Sequence, residues 1–196
     1  LANSNGNKKD LLDNFGIQNV SVIPNPIDLK LIDSLKNQIT SFECNKFTFI
    51  TIGRLDKGKN HQLLVSAMQY IDANLFIIGD GDLKEKLQNQ INHQGINDKI
   101  FLLGRKDNPF KYLTKADCFV FSSNHEGFPN VLLEALACDL PIISTDCNSG
   151  PREILSLNKL KKINEDIELC KYGILFPIND CNNLVKAMKM VIKDTD

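Results

Sequence analysis

The chain has 196 residues, enough for one sizeable domain, with 42% hydrophobic and 24% charged residues, the balance of an ordinary globular fold. Its 23 basic and 24 acidic side chains leave a net charge of −1, which argues against a protein whose whole surface binds nucleic acid. No apolar run approaches the length of a membrane span and the opening LANSNGNKKD has no signal-peptide core, so a cytoplasmic chain is expected.

Residues 1–19 read as a polar lead-in with a short helix near Lys9–Phe15, and Val20–Ile23 is strand-like. Phe47–Ile52 predicts a strand ending at Gly53. Asn60 is placed to cap a helix with Leu63, Leu64, Ala67 and Met68 on one face. Ala73–Ile78 is a strand ending at Gly79, and Asp82 is placed to cap a helix with Leu83, Leu87 and Ile91 inward. Lys99–Leu103 is strand-like, and Asn108 and Pro109 open a short helix. Cys118–Ser122 is a strand, followed by a loop and a helix in HEGFPNVLLEALACDLP, where Pro129 suits a first helical turn. Pro141–Ser144 is another strand and Gly150–Leu155 another helix start. The charged stretch 157–172 is expected to be an exposed loop with some helix, before a short strand at Ile174–Phe176 and a closing helix at Asn183–Ile192.

Strands that are apolar throughout, each followed by a helix, predict an α/β fold: a doubly wound parallel sheet, Rossmann-like, covered on both faces. Ligands in such sheets bind beyond the carboxyl ends of the strands. The segments Gly53–Lys59, Gly79–Asp82, Gly104–Arg105, Ser123–Asn130 and Thr145–Gly150 all fall there, so they converge on one rim. The six cysteines (44, 118, 138, 147, 170 and 181) have no CxxC spacing, and several lie in apolar runs, which favours free buried thiols over a disulfide framework.

Within that rim, Glu126 precedes the helix of the HEGFPN run and Glu134 lies inside it, one turn above Asn130 and Val131 on the same face. Free N–H groups at the helix start suit a phosphate. A phosphate, a ribose and a sugar in line would meet those N–H groups, Glu134 and Glu126, which is a geometry for a sugar nucleotide. Glu126 could equally be an acidic loop residue favoured by the helix dipole, and Glu134 a surface glutamate. Arg54 directly follows a strand end, and Lys59 sits in a turn containing Gly58. Two fixed cations can stabilise a diphosphate leaving group where other enzymes use a metal, although a solvated turn would also carry them. Gly79 and Gly81 suit a backbone approach to a ligand or an ordinary tight turn. Asp80 and Asp82 form D-x-D, more simply a turn plus a cap than a metal site, and His61 and His93 have no ligand-like partners; His125 adjoins Glu126 where a base could stand, but a lone loop histidine is more simply polar surface.

The ordered set VIPNPID, GRLDKGKN, FIIGDGDLKEKL, FLLGR, ADCFVFSSNHEGFPN, the Glu–seven residues–Glu spacing, PIISTDCNSGPREIL and YGILFP resembles the retaining glycosyltransferases of the GT-B superfamily, group 1 (family 4), over roughly residues 20–180. The resemblance implies the C-terminal, donor-binding half of a GT-B fold. Residues 1–23 would be the tail of a preceding acceptor-binding domain, and residues 24–196 the nucleotide-sugar domain. The preceding domain and a last helix that crosses back to it lie outside this chain. It implies metal-independent transfer of a hexosyl or N-acetylhexosaminyl group, without cofactor, from a nucleotide-diphosphate sugar. UDP-sugar is the favoured donor and a glycan or lipid-linked acceptor the expected recipient, in surface polysaccharide or glycolipid assembly. It also implies contact with the inner face of the cell membrane through the preceding domain.

By residue, the resemblance makes Arg54, Lys59 and Glu126 catalytic, with Glu126 beside the transferred sugar. It assigns donor contacts to Gly53, Gly79, Gly81, Arg105, Phe128, Asn130, Val131 and Glu134, with Glu134 on the ribose hydroxyls, and it puts Gly150 and Glu153 in a loop bordering the sugar. One departure stands out: the family has glycine where this chain has Asp139, at a position that needs a positive φ. Two rivals compete with a transferase, a GT-B-fold sugar-nucleotide epimerase and a non-catalytic nucleotide-binding module. The lysine-rich turn Gly53–Asn60 favours phosphate neutralisation over a dinucleotide fingerprint.

Overall fold

The computed structural model describes residues 1–38, 45–156 and 165–194. Among them, seven strands form one sheet in the order β3-β2-β1-β4-β5-β7-β6. They are β1 (Thr48–Ile52), β2 (Asn74–Ile78), β3 (Ile100–Gly104), β4 (Cys118–Phe121), β5 (Ile142–Thr145), β6 (Glu168–Cys170) and β7 (Gly173–Phe176). Every neighbouring pair is parallel except β6 with β7. The helices are α1 (Asn5–Phe15), α2 (Leu29–Lys36), α3 (His61–Ala67), α4 (Lys84–Gln94), α5 (Phe110–Leu113), α6 (Asn130–Ala137), α7 (Pro151–Leu155) and α8 (Cys181–Lys193).

Successive strand residues point to opposite faces, and both faces are apolar. Phe49, Leu75, Ile77, Val120 and Phe176 share one core with α3, α4 and α8. Ile50, Phe76, Phe119, Phe121 and Leu175 share the other with α2, α5, α6 and α7. Phe49, Phe119, Phe121 and Phe176 are fully buried, each contributing about 2–3 kcal/mol of transfer free energy. The doubly wound parallel sheet expected from the sequence is therefore present, with one antiparallel edge strand added.

Several local expectations are corrected. Val20–Ile23 is not a strand: a single bridge joins Val22 to Ala2, and Pro24 and Pro26 follow at once, where their missing N–H groups stop a ladder. Helix α2 was not expected from the sequence; it buries only Ile32 and leaves Leu29 and Leu31 exposed. Its start is marked by Asp28, whose side chain accepts from the Leu31 N–H at 2.9 Å. The lead-in helix begins at Asn5, four residues earlier than expected, capped by the Ser4 side chain.

Neither Asn60 nor Asp82 caps its helix. Asn60 sits at φ 51° and donates its amide to Asn124 (3.2 Å) and Asn179 (2.9 Å), and Leu83 rather than Asp82 precedes α4. Pro129 is the residue before α6, extended at ψ 101°, and not within its first turn. The charged stretch expected as loop with helix contains the edge strand β6, while residues 157–164 lie outside the described residues.

Asp139 does adopt a positive φ, 61°. The Leu140 N–H donates to the Ala135 carbonyl and the Asp139 N–H to Leu136, so α6 ends in a Schellman turn. The described cysteines are free; burial pushes the Cys138 thiol up to about 11 and Cys147 to about 12, which leaves both protonated and unreactive. Cys44 lies outside the described residues.

Candidate functional site

Strands β1 and β4 are neighbours, yet the chain leaves β1 toward β2 and β3 on one side and leaves β4 toward β5 and β7 on the other. At such a reversal the following loops diverge and a crevice opens at the carboxyl ends. The loops after β1 and β4 meet across it. The Asn124 N–H donates to the Gly58 carbonyl at 2.8 Å, and the Ser122 hydroxyl to the Lys59 carbonyl at 2.9 Å.

Those bonds bring Lys59 and Glu126, 67 positions apart, into a 2.5 Å ion pair. The side chains are only 25% and 11% exposed, and Lys59 Nζ lies 5.6 Å over the Phe121 ring. Asp56 shapes the turn by accepting from the Lys59 N–H at 3.0 Å and from Arg54 Nε at 2.6 Å. Partial burial pushes the Asp56 carboxyl up, but these bonds outweigh it and hold the group below its usual range. Arg54 shares the loop with Lys59, but its side chain is 77% exposed, so its guanidinium stands at the rim rather than in the crevice. His61 is buried behind Lys59. Burial, then the lysine charge, lower its pKa to about 4, so the ring is neutral.

Glu134 differs from Glu126 in kind. It is half-buried on α6, its carboxylate makes no hydrogen bond or ion pair with a described residue, and burial pushes that carboxyl above the ordinary value. Nearby, the N–H groups of Asn130 and Val131 lie in the first turn of α6 and have no intrahelical acceptor. Asn25 ties the Val22–Asp28 segment to this turn by donating to Asn130 Oδ1 at 2.8 Å and to the Phe128 carbonyl at 3.4 Å.

Gly79 and Gly81 have φ of 148° and 157°. A β-carbon on Gly79 would overlap the Gly53 carbonyl oxygen, and one on Gly81 would stand 2.6 Å from the Leu55 carbonyl oxygen. Packing of the β2 turn against the β1 turn is thus sufficient to require glycine at both. Arg105 is exposed beyond β3, about 10 Å from β1 given two strand spacings, at the far end of the same rim. Among the described residues, no three His, Cys, Asp or Glu side chains cluster as metal ligands.

The loop after β5 closes the other side. Thr145 donates to the Ser123 carbonyl at 2.6 Å, and Ser149 to the Gly127 carbonyl at 2.7 Å. Gly150, at φ 89°, packs against Pro129 and Gly127. Arg152 is buried and grips Asp146 through Nε (2.9 Å) and Nη2 (2.8 Å), and Glu168 at 3.0 Å, so α7, the end of β5 and the edge strand are tied together. Glu153, in the loop that the resemblance puts along the sugar, has its carboxylate on the start of α1, accepting from Asn5 and Gly6. Sequence reasoning did not single out Ser149, Arg152 or the α1 contact; a serine and a surface-type arginine in a loop carry no local signal until the loop partners are known.

Comparison with known proteins gives the family and the fold. Residues 34–196 match the family model of glycosyl transferases group 1. The chain is 42% identical over 183 residues to an uncharacterized glycosyltransferase of Methanocaldococcus jannaschii, covering 86% of this chain and 45% of that protein. It is 36% identical over 198 residues to the N-acetylgalactosamine-N,N'-diacetylbacillosaminyl-diphospho-undecaprenol 4-alpha-N-acetylgalactosaminyltransferase of Campylobacter jejuni, covering 99% of this chain and 50% of that one. The fold matches HepE of Anabaena, solved in complex with UDP, with a TM-score of 0.79 at 20% identity, over 100% of this chain and 54% of HepE. The chain spans about half the length of the curated relatives it matches.

Proposed function

The chain belongs to the glycosyl transferases group 1, and from that premise we propose that it is the donor-binding half of a retaining, metal-independent enzyme of the family-4 type. It would hold a nucleotide-diphosphate sugar, with a UDP-sugar favoured, and present the anomeric carbon to an acceptor held by a preceding domain, with the closing crossover helix also outside the chain. The observation that carries the reading is the Lys59–Glu126 pair at the reversal point, beside a helix start and a Glu134 carboxylate with no partner among the described residues.

Lys59 Nζ has three donors, of which Glu126 takes one. A diphosphate arriving at the crevice competes for the others. Lys59 and the rim cation Arg54 then neutralise the charge that develops as the glycosidic bond breaks. Glu126, relieved of part of its pairing, accepts from sugar hydroxyls and stabilises positive charge at the anomeric carbon. The N–H groups of Phe128, Asn130 and Val131 take phosphate or sugar oxygens, and Pro129, lacking an N–H, contributes shape. Glu134 supplies two acceptor oxygens to the ribose diol, the partners that its carboxylate lacks among the described residues. Gly53, Gly79, Gly81 and Arg105 line the rim toward the base.

The Campylobacter relative, named for a diphospho-undecaprenol acceptor and an N-acetylgalactosaminyl group, supports a lipid-linked acceptor and an N-acetylhexosaminyl donor, and an Escherichia coli relative named as a diphosphoundecaprenol galactosyltransferase supports a hexosyl one; work at the inner face of a membrane is part of the same proposal. Calorimetry with UDP in the absence of added metal tests the site: binding is expected, weakened by Lys59→Ala and by Glu134→Ala. Unchanged affinity in both variants removes the assignment. The anomeric configuration of the product made by the longer polypeptide tests retention.

A further inference from the structure

The N-terminus of α1 is seated on the loops that frame the proposed donor site. Glu153 Oε2 accepts from the Asn5 N–H at 2.8 Å and from Asn5 Nδ2 at 3.0 Å, and Oε1 accepts from the Gly6 N–H at 3.0 Å. These first-turn N–H groups have no acceptor within the helix, and a carboxylate there also meets the positive end of the helix dipole. Ser4 Oγ is 2.6 Å from Ser149 Oγ. Ser149 gives its own proton to the Gly127 carbonyl at 2.7 Å, so Ser4 is the donor between the two hydroxyls. Ser4 and Ser149 are 1% and 6% exposed, out of reach of competing water.

Shape reinforces the bonds. A β-carbon on Gly6 would stand 2.7 Å from Ser149 Oγ, and one on Gly127 would stand 2.8 Å from Asn7 Nδ2. The helix and the loop therefore touch through two glycines. The seat itself is anchored, because Glu153 follows Arg152, which is held to Asp146 and Glu168. A continuous path runs from α1 through Ser149 to Gly127, and Gly127 adjoins Glu126, the partner of Lys59.

Building on the donor-site reading above, we infer that α1 is a clamp for the loop Glu126–Asn130, with Gly6, Ser149 and Glu153 as positioning residues. Seating α1 fixes the Gly127 carbonyl and with it the approach of Glu126 and the first turn of α6. A donor that uses that loop favours the seated helix, and by linkage the seated helix raises donor affinity by the same factor.

Glycine 6 separates a clamp from a passive lead-in. Alanine is the better helix former, so an unattached α1 would tolerate or profit from Gly6→Ala, whereas the seated helix collides with Ser149. The test is calorimetry with UDP on the parent chain, Gly6→Ala, Glu153→Gln and Glu153→Asp, with folding checked by circular dichroism. Amide exchange at residues 5–8 is followed with and without UDP. Gly6→Ala and Glu153→Gln are each expected to weaken UDP by about tenfold, inside the usual range of coupled sites. Glu153→Asp retains more affinity than Glu153→Gln, and UDP slows exchange at Asn5 and Gly6. Should Gly6→Ala not fold, Glu153→Gln decides. Parent-level affinity in the folded variants, or exchange at Asn5 and Gly6 indifferent to UDP, overturns the clamp while leaving the donor site standing. A parent chain that does not bind UDP overturns the donor reading and the clamp with it, and that failure is visible before any substitution is made.

Discussion

Replacing Glu134 by methionine should move stability and affinity in opposite directions. The carboxylate is half-buried, has no partner among the described residues and is pushed above its ordinary value by that burial. A group whose folded pKa is raised contributes stability that is present below its unfolded value of 4.5 and is lost as pH rises through the folded one. At neutral pH the ionised carboxylate therefore costs the free protein stability. Methionine has a similar helix propensity and no charge, so Glu134→Met should stabilise the unliganded fold by about 1 kcal/mol, the low end for an unsatisfied buried polar group.

Affinity should fall. Two hydroxyl bonds to a carboxylate, each worth about 1.5–3 kcal/mol, amount to about 3–6 kcal/mol, or about 10²- to 10⁴-fold in UDP dissociation constant. The pH dependence follows from the same bonds. They lower the pKa in the complex, so the free protein holds more protons. UDP affinity should then weaken as pH falls through the raised free-state pKa, and this dependence should vanish in the variant. Urea denaturation of the free protein and calorimetry with UDP read both effects. A variant that binds UDP like the parent, or one less stable than the parent by 1 kcal/mol or more, refutes the reasoning.

Arg152→Met should cost about 3–5 kcal/mol in urea denaturation, because it leaves the buried Asp146 carboxylate, whose side chain is 1% exposed, without its fork; a loss below about 1 kcal/mol would show that the network is not structural. Asp139→Gly should raise stability by about 0.5–1 kcal/mol, since φ of 61° strains a residue with a β-carbon and glycine closes the Schellman turn freely; thermal melts would show an unchanged or lower midpoint if that strain is absent. Gly79→Ala should cost about 3 kcal/mol or more, combining a φ of 148° with a β-carbon on the Gly53 carbonyl; near-parent stability would mean that the β1 and β2 turns do not pack as described.

The parallel sheet was legible in the chain because its strands are buried on both faces, so they appear as short β-branched and aromatic runs such as FTFITI and LFII without polar alternation from charged residues. Helix ends were less legible. Asn60 and Asp82 have the chemistry of caps, but Asn60 is drawn to Asn124 and Asn179, residues distant in sequence, and a tertiary partner outbids a local one. Helix α2 has leucines and an isoleucine at helical spacing yet buries only Ile32, so its place beside the sheet is decided by tertiary packing, and the edge strand β6 has a pattern of half-buried and exposed residues that resembles a loop.

What the linear chain determined was which residues could do chemistry and that they stand at strand ends: Lys59 after β1, Glu126 after β4 and Glu134 inside α6 all follow from the strand–helix rhythm. Only the tertiary structure decided which of them touch. Strand order is a long-range property, and the adjacency of β1 and β4 is what puts Lys59 on Glu126, while Arg54 turns to its neighbour Asp56 at the rim and the Glu134 carboxylate has no partner among the described residues. The same holds for Glu153, whose neighbours in sequence say nothing of α1, 148 positions away, because hydrogen bonds reach about 3 Å in space whatever the separation along the chain.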